Sequence, residues 1–151
     1  MPAEQAASLL QAVSELARLT GERAMAHYRP GIAVEFKGDG SPVTAADREA
    51  ERFAREWLAA RFPHDEILGE EFGETAGPGA SGAPEPAGRR WVIDPIDGTK
   101  SFVRGVPLWG TLIAVMDGSG VIAGAAAFPA CSEHIAAARD YFCASLGTWF
   151  V

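Results

Sequence analysis

Apolar residues recur at helical spacing in the first part of the chain, from about residue 3 to residue 29. Leu9, Val13 and Leu16 fall on one face of this segment, while acidic, basic and amide side chains occupy the other faces. This arrangement predicts an amphipathic helix. Pro30-Gly31 ends the pattern, because both residues disfavour the continuation of a helix.

A second helix is predicted from Thr44 to Phe62-Pro63. Thr44 is a favourable N-cap residue, and Asp47 three positions later can return a hydrogen bond in a capping box. Asp47 also shares a helix face with Ala50 and Phe53. It is therefore either a first-turn carboxylate that caps a free amide, or an inward-facing acid that holds a hydroxyl or a water molecule at a site.

Several short segments have the composition and alternation of strands. Ile32–Lys37 alternates apolar and polar residues ahead of a glycine-rich turn. The apolar runs 112–116 and 121–128 flank Asp117-Gly-Ser-Gly120, which predicts a β-hairpin buried on both faces. Further strands are predicted at 66–68 and 135–138, and the Gly- and Pro-rich segment 77–88 is predicted to be a surface loop.

The stretch Trp91–Phe102 combines a predicted strand, a glycine turn and a predicted helix start. Trp91–Ile93 is apolar and β-prone, and Pro95 is predicted to stop the strand because it cannot donate a ladder hydrogen bond. Gly98 permits the backbone angles of a tight turn. Thr99 is then predicted to begin a helix.

Acidic residues in this region have the chemistry of a metal site. Asp94 and Asp97 would lie at the carboxyl end of a buried strand, where open sheets usually place ligands. Glu70 supplies a third carboxylate, and the carbonyl of Ile96 would point the same way. Magnesium prefers such hard oxygen ligands, and a pair of ions can activate water and clamp a phosphoryl group. The residues therefore predict a magnesium-dependent phosphate-ester site, although Glu70 and Glu71 alone would also fit a solvated loop.

A nucleophilic aspartate is the main chemical alternative. Phosphatases of the haloacid dehalogenase type carry Asp-x-Asp-Gly-Thr at a strand end and use the first aspartate as the nucleophile. In this chain two residues separate Asp94 from Asp97, and the stretch follows two predicted helices instead of opening the fold. The spacing favours an activated water over a covalent intermediate.

The composition of the chain limits the classes of molecule that it is predicted to bind. The net charge of −7, from 13 basic and 20 acidic residues, argues against broad binding to nucleic acid or anionic membranes. A phosphorylated substrate is compatible with it, because bound cations reverse the local field. No apolar run approaches the roughly 20 residues of a membrane span, and Cys131 and Cys143 lack the spacing of a metal site or a disulfide framework. A single domain of 151 residues in the cytoplasm is predicted.

Taken together, these motifs resemble the inositol monophosphatase family over about residues 1–130. The resemblance is carried by four ordered pieces, and Gly105–Ala114 looks most like the branch that hydrolyses histidinol phosphate. The four pieces are Lys37, Ser41–Asp47, Gly69–Glu71, and Trp91–Thr99 with Phe102.

The resemblance implies a fold, a cofactor and an assembly. The fold is α+β, a layered α-β-α-β-α sugar-phosphatase type, represented by its N-terminal half with two helices and a mainly antiparallel sheet. The complete enzyme would bind two or more Mg²⁺ ions, act on a small phosphorylated substrate and form a homodimer.

The resemblance also implies roles for individual residues. Asp47 and Thr99 would be catalytic, with Thr99 hydrogen-bonded to Asp47 and orienting or deprotonating the attacking water. The amides of Gly98 and Thr99 would hold the phosphate, and Lys37 would support the ligands without touching the metal. The implied metal ligands are Glu70, Asp94, the Ile96 carbonyl and Asp97.

The chain departs from the family pattern at its end. Family members continue well beyond this length with a Trp-x-Asp-type motif that completes the second metal site, and residues 139–151 do not follow the family. The chain is therefore predicted to be an incomplete N-terminal part, truncated or frameshifted, with poor activity alone. Three functions stay open: a histidinol-phosphate phosphatase as the leading hypothesis, an inositol-1-monophosphatase or sugar bisphosphatase, and a non-catalytic remnant that binds metal or phosphate.

Overall fold

The structure is a computed structural model that describes residues 2–29, 31–40, 42–76 and 88–139. Its helices are α1 (Ala3–Met25), α2 (Ala45–Arg61) and the short α3 (Thr99–Val103), with a 3₁₀ turn at Pro129–Cys131. Its strands are β1 (Glu35–Phe36), β2 (Pro42–Val43), β3 (Glu66–Gly69), β4 (Gly73–Thr75), β5 (Arg90–Asp97), β6 (Gly110–Asp117), β7 (Gly120–Phe128) and β8 (Glu133–Ala138). None of the helices described is both long enough and apolar enough to cross a membrane.

Six of the strands form one sheet in the order β4-β3-β5-β6-β7-β8. The pairing of β3 with β5 is parallel, and the other four pairings in the sheet are antiparallel. β1 and β2 form a separate antiparallel pair. The predicted α+β class with a mainly antiparallel sheet is confirmed.

Both long helices pack on one face of the sheet. α1 lies against β6, β7 and β8, while α2 lies against α1 and β5. The apolar stripe predicted for α1 is buried there, since Leu9, Val13 and Leu16 are each at most 1% exposed. The partners of the helices on the sheet include Trp91, Ile93, Ile113 and Val115. Burial of these faces is the main source of stability for such a two-layer arrangement.

The first helix and the strand after it are shorter than predicted. α1 ends at Met25, where hydrogen bonds of the turn at Ala26 and His27 replace the helical pattern four residues before Arg29. The strand predicted for Ile32–Lys37 is limited to Glu35–Phe36, both exposed. Ile32 packs against the core cluster that contains Phe102 and Trp109, but it does so outside any strand.

β5 continues past Pro95, so the predicted strand end is wrong. Asp94 pairs with Leu112 and Asp97 with Gly110, so β5 carries one more residue than β6 in this interval. Such a bulge places the missing N–H of proline in the irregular part of the ladder. The carbonyl of Pro95 accepts a 2.8 Å hydrogen bond from Thr111 Oγ1.

The hairpin of β6 and β7 is confirmed, but it is not buried on both faces. Ile113 and Val115 face the helices, while the cross-strand neighbours Leu112, Ala126 and Ile135 lie on the opposite face. That face is half-buried along β6 and β7, and Ile135 is 46% exposed. The sheet therefore presents apolar side chains on the side away from α1 and α2.

Two predictions fall on segments that the structure leaves largely undescribed. The surface loop predicted at 77–88 lies outside the described residues except for Gly88, and the atypical tail at 139–151 lies outside them except for Arg139. The prediction of a single, incomplete domain remains untested.

Candidate active site

Parallel pairing of β3 with β5 brings two acidic segments to one edge of the sheet. Gly69, at the end of β3, lies opposite Ile93 of β5. The next residue, Glu70, donates its backbone N–H to the Ile93 carbonyl at 3.1 Å. Because the two strands run in the same direction, their carboxyl ends meet there. Glu70 therefore lies beside Asp94, which follows Ile93.

Other acids crowd the Asp94 carboxyl. Burial is the largest cause that raises the pKa of Asp94 to about 8, followed by a hydrogen bond with the Glu70 side chain and the negative charges of Glu70 and Asp97. The backbone N–H of Ile96 acts in the opposite sense. Within the described part of the chain, the buried Oδ1 atom of Asp94 has no hydrogen-bond partner. A cation would relieve both the crowding and the unpartnered oxygen.

The Asp47 carboxylate links the cap of α2 to the start of α3. Thr44 donates its N–H and Oγ1 to Asp47 Oδ2 at 2.7 and 2.6 Å, and the Asp47 N–H donates to Thr44 Oγ1 at 3.4 Å. Thr99 Oγ1 lies 3.4 Å from Asp47 Oδ1 and 3.1 Å from the Ile96 carbonyl oxygen. A hydroxyl has one proton, which either oxygen can accept. Both interpretations of Asp47 hold, because it caps the helix and also faces inward.

The environment of Asp47 favours the protonated form of its carboxyl group more than the surroundings of an exposed aspartate do. Only 1% of this residue is exposed. Burial raises the pKa of Asp47, and the hydrogen bonds from Thr44, from its own N–H and from Thr99 reduce this rise without cancelling it. A carboxyl group of this kind is suited to exchanging a proton with a neighbouring hydroxyl.

Gly98 makes the predicted turn between β5 and α3. Its backbone lies in the left-handed region, with φ 92° and ψ 37°, and it is the N-cap residue of the five-residue helix that Thr99 begins. A Cβ atom at this position would lie 3.1 Å from the carbonyl oxygen of Leu108. The turn therefore requires glycine for its backbone angle and for the close approach of the chain that leads to β6.

Lys37 is positioned between two glutamates. Its Nζ atom donates to Glu70 Oε1 at 3.0 Å and to Glu71 Oε1 at 2.8 Å. Burial lowers the pKa of Lys37, but hydrogen bonds and charges from Glu71 and Glu70 outweigh burial and raise it overall. The pKa of Glu71 is also raised, because burial of this carboxyl outweighs its contact with Lys37. Lys37 therefore remains a cation in contact with the predicted ligand Glu70.

The predicted ligands, three carboxylates and a backbone carbonyl, have the right chemistry for a hard divalent cation. The side chains as observed are not positioned around a common point where such an ion could bind. As placed, no group of three or more His, Cys, Asp or Glu side chains among residues 2–29, 31–40, 42–76 and 88–139 could hold a metal ion. Glu70 is engaged with Lys37. Carboxylates and a backbone carbonyl are nevertheless the ligands that magnesium prefers. The unpartnered Oδ1 of Asp94 and the raised pKa of this group are what a cation at this edge would resolve.

The structure thus brings the predicted residues into two adjoining clusters. Glu70, Asp94 and Asp97 interact electrostatically at the strand ends, with Lys37 on Glu70. The second cluster, formed by Asp47, Thr99 and the Ile96 carbonyl, is joined to the first through β5.

Sequence reasoning missed three polar residues that shape this edge. Glu51 and Arg55 follow Asp47 at intervals of four residues on α2, and their side chains reach the turn after β3. Thr111 is fully buried on β6 and bonds to Pro95. The four-residue spacing was a signal, because residues so spaced lie on one helix face. Thr111 had no such signal.

Comparison with protein families gives a match over most of the chain. Residues 5–147 match the model described as the inositol monophosphatase family.

Curated relatives include several phosphatases. The chain is 43% identical over 131 residues to a histidinol-phosphatase of Chlorobaculum parvum, covering 86% of this chain and 48% of that protein. It is 52% identical over 86 residues to the histidinol-phosphatase of Streptomyces coelicolor, covering 57% of this chain and 29% of that protein. An inositol-1-monophosphatase of Mycobacterium bovis is 41% identical over 107 residues, covering 64% and 36%.

Solved structures of a suhB protein and of an IMPase have the same fold as this chain. The extragenic suppressor protein suhB of Bartonella henselae aligns with a TM-score of 0.75 at 28% identity, covering 87% of this chain and 48% of that one. The IMPase of Thermotoga maritima aligns with a TM-score of 0.71 at 31% identity, covering 84% and 46%. In each of these matches, this chain spans about half of the solved chain or less.

Proposed function

Because the chain belongs to the inositol monophosphatase family, we propose that it hydrolyses phosphate monoesters with Mg²⁺ as its cofactor, and that histidinol phosphate is its substrate. One observation carries the proposal: Glu70, Asp94 and Asp97 meet at a strand edge where a buried oxygen of Asp94 has no hydrogen-bond partner among the described residues. Carboxylates are the ligands typical of sites that hold a divalent cation beside a phosphate.

The metal would be held by residues from the ends of two parallel strands. Glu70 from the end of β3 and Asp94 and Asp97 from the end of β5 supply carboxylates, and the Ile96 carbonyl supplies a neutral oxygen. When bound, Mg²⁺ supplies charge that activates water and neutralises the phosphate and the leaving alkoxide. Lys37 contacts Glu70, so its positive charge offsets part of the negative charge of the ligand set.

The pair of Asp47 and Thr99 would manage the proton of the attacking water. Thr99 Oγ1 can accept a hydrogen bond from water while donating its own proton to Asp47 Oδ1, 3.4 Å away. The Asp47 carboxylate is fixed on its other side by Thr44, so it cannot rotate away without losing the helix cap. In this scheme the water oxygen bonds to phosphorus as the bond from phosphorus to the ester oxygen breaks. One water proton passes through Thr99 to Asp47, and the leaving alkoxide takes a proton from solvent to become the alcohol.

The phosphate would be bound at the turn between β5 and α3. The amides of Gly98 and Thr99 begin α3, where backbone N–H groups are available to an anion. Because α3 has only five residues, the local amides contribute more than a helix macrodipole would. The left-handed backbone of Gly98 is what directs these amides out of the strand.

The choice of substrate rests on sequence identity to curated relatives. The 43% identity to a histidinol-phosphatase extends over 131 residues, whereas the 41% identity to an inositol-1-monophosphatase extends over 107. This comparison favours histidinol phosphate. Inositol 1-phosphate is the second candidate, because its relative matches nearly as well over the shared part.

Measuring the release of phosphate from each ester distinguishes the two candidate substrates. Purified protein would be assayed with MgCl₂ on histidinol phosphate and inositol 1-phosphate, with and without EDTA. We expect a higher kcat/KM for histidinol phosphate and loss of release with EDTA. Asp94→Asn should remove activity, whereas Asp117→Asn, at a partly exposed acid that ends β6, should leave it unchanged. Activity that survives EDTA or Asp94→Asn would refute the metal site, and a preference for inositol 1-phosphate would select the second candidate.

A non-catalytic role, in which the chain binds metal or phosphate without turnover, is the candidate of another class. The chain spans 48% of the Chlorobaculum parvum relative and 29% of the Streptomyces coelicolor one. A chain that retained the cation site without turnover would show a Mg²⁺-dependent rise in melting temperature and no phosphate release. Assaying the 151-residue chain beside any longer product of the same reading frame distinguishes the two roles.

A further inference from the structure

Glu51 is a buried acid that accepts two hydrogen bonds from the turn that carries Glu70. It lies on α2 and is 0% exposed. Its Oε2 accepts the backbone N–H of Glu71 at 2.6 Å, and its Oε1 accepts the N–H of Phe72 at 3.2 Å. Arg55 Nε donates to the same Oε1 at 2.8 Å. A helix side chain therefore satisfies two successive amides of the turn between β3 and β4.

Arg55 extends this contact to the far side of the turn. Its Nη1 donates to Thr75 Oγ1 at 2.7 Å, and its Nη2 donates to the carbonyl of Gly73. Two side chains one turn apart on α2 thus hold the turn after Glu70, Glu51 at residues 71–72 and Arg55 at Gly73 and Thr75. We call Glu51 and Arg55 the α2 clamp.

The close approach of Glu51 depends on a glycine at the end of β3. A Cβ atom on Gly69 would collide with the Glu51 carboxylate and lie 2.8 Å from Arg55 Nη2. Gly69 shows no left-handed angle, so its backbone does not need glycine. Its missing side chain leaves the space through which the clamp reaches the turn.

A fully buried carboxylate is costly unless it is paired and hydrogen-bonded, and an apolar replacement is often equally stable. Stability alone therefore gives a weak account of Glu51. The clamp fixes the backbone that follows Glu70, while β5 fixes the N–H of Glu70 itself. Glu70 is held to the Ile93 carbonyl by its own N–H, and the following amides, those of Glu71 and Phe72, are held by Glu51.

We propose that Glu51, held by Arg55, is a positioning residue that fixes the backbone of Glu70 so that its carboxylate faces Asp94 and the Mg²⁺ of the proposed site. This inference rests on the proposed function. Glu51 touches neither substrate nor metal. Its effect passes through the amides of the turn, in the way that residues behind metal ligands tune affinity about 10–100-fold.

The test compares Glu51→Gln and Arg55→Lys with Glu56→Gln, an exposed glutamate of the same helix. Glutamine keeps the size of Glu51 but presents an amide donor toward one of its three donors. Amide hydrogen exchange without metal should be faster at Glu71 and Phe72 in both clamp variants and unchanged in Glu56→Gln. Circular dichroism establishes that each variant is folded.

Mg²⁺ affinity is the second measurement, made by calorimetry or by the rise in melting temperature with added MgCl₂. We expect it to be about 10-fold weaker in Glu51→Gln. In the activity assay, the Mg²⁺ concentration for half-maximal rate should rise while kcat at saturating Mg²⁺ is largely restored. A loss of stability alone would not produce that separation.

Each other outcome contradicts a distinct statement. Unchanged exchange at Glu71 and Phe72 would overturn the clamp itself. Faster exchange with wild-type Mg²⁺ affinity would leave the clamp as a structural feature and overturn its positioning role. A wild-type chain with no response to Mg²⁺ would overturn the proposed function, and the positioning role with it, while the exchange data would still report the clamp.

Discussion

The backbone N–H of Glu70 donates a 3.1 Å hydrogen bond to the carbonyl of Ile93, the residue immediately before Asp94. This bond continues the parallel ladder of β3 and β5 by one step beyond Gly69. It sets two acidic residues that are distant in sequence side by side, whichever way their side chains rotate. The backbone therefore defines where the proposed metal ligands lie. Lys37 contacts the Glu70 side chain, and Glu51 of α2 binds the amides that follow it.

The first prediction concerns pH and Asp94. Burial, the Glu70 side chain and the Asp97 charge raise the pKa of this group to about 8 from an ordinary 3.8. The folded, metal-free chain thus binds this proton more tightly than the unfolded chain does. Its contribution to stability is fully present below about pH 4 and is lost as the pH rises toward 8. We expect the melting temperature to fall over this range by several degrees.

Asp94→Asn should flatten that pH dependence, because asparagine does not titrate. Added Mg²⁺ should raise the wild-type melting temperature most near pH 8 and leave Asp94→Asn unaffected. Asp117→Asn is the control: hydrogen bonds from Ser119 lower the pKa of Asp117, so its contribution is lost only as the solution becomes more acidic. A slope as steep in Asp94→Asn as in the wild type would contradict the assignment.

The second prediction tests the pair of Thr99 and Asp47. Thr99→Ala removes the hydroxyl that links water to Asp47, and kcat should fall about 100-fold or more, the usual scale for a lost proton-transfer group. Thr99→Ser keeps the hydroxyl and should recover most of the rate. Asp47→Asn should lower kcat as strongly, with Mg²⁺ affinity near that of the wild type. If Thr99→Ala kept full kcat, the proton route would have to be reassigned.

Local patterns predicted the elements whose stabilising contacts are also local. The capping box of Thr44 and Asp47 spans three residues, and the β6–β7 hairpin closes around Asp117–Gly120. Both were evident from the sequence because the interacting residues are close neighbours in the chain. The left-handed turn at Gly98 was predicted for the same reason.

The predictions that failed depend on partners distant in sequence. Pro95 was expected to end β5, but Thr111 on the neighbouring strand satisfies its carbonyl and the bulge absorbs the missing N–H. Glu51 was not singled out from the sequence, because its partners are the amides of Glu71 and Phe72, about twenty residues later. Glu70 was grouped with Asp94 from the chemistry of the acids and then from the resemblance, since no local pattern specifies the parallel pairing that brings them together.

The third prediction measures the support given to the bulge. Thr111→Val keeps the shape of the side chain but leaves the Pro95 carbonyl without the hydroxyl donor, at a cost of about 1–2 kcal/mol. The melting temperature should fall by about 2–6 °C. Thr20→Val is the matched control, because within the described residues the fully buried Thr20 Oγ1 has no hydrogen-bond partner. That variant should be neutral or slightly stabilising, and equal losses in both would argue against a specific role for the Thr111 bond.

The fourth prediction separates two reasons for glycine at position 98. Alanine there must adopt a φ of about 92° and place its Cβ 3.1 Å from the Leu108 carbonyl oxygen. Gly40 has a similar φ of 81°, but a Cβ there would meet no heavy atom within 4 Å. Gly40→Ala therefore carries the conformational cost alone, about 1 kcal/mol, whereas Gly98→Ala adds the steric contact and should cost about 2–3 kcal/mol in denaturant unfolding.

Because the contact would displace the amides of Gly98 and Thr99, Gly98→Ala should also weaken inhibition by inorganic phosphate, and Gly40→Ala should not. Equal losses of stability, with phosphate inhibition intact in both variants, would show that the turn needs glycine only for its backbone angle.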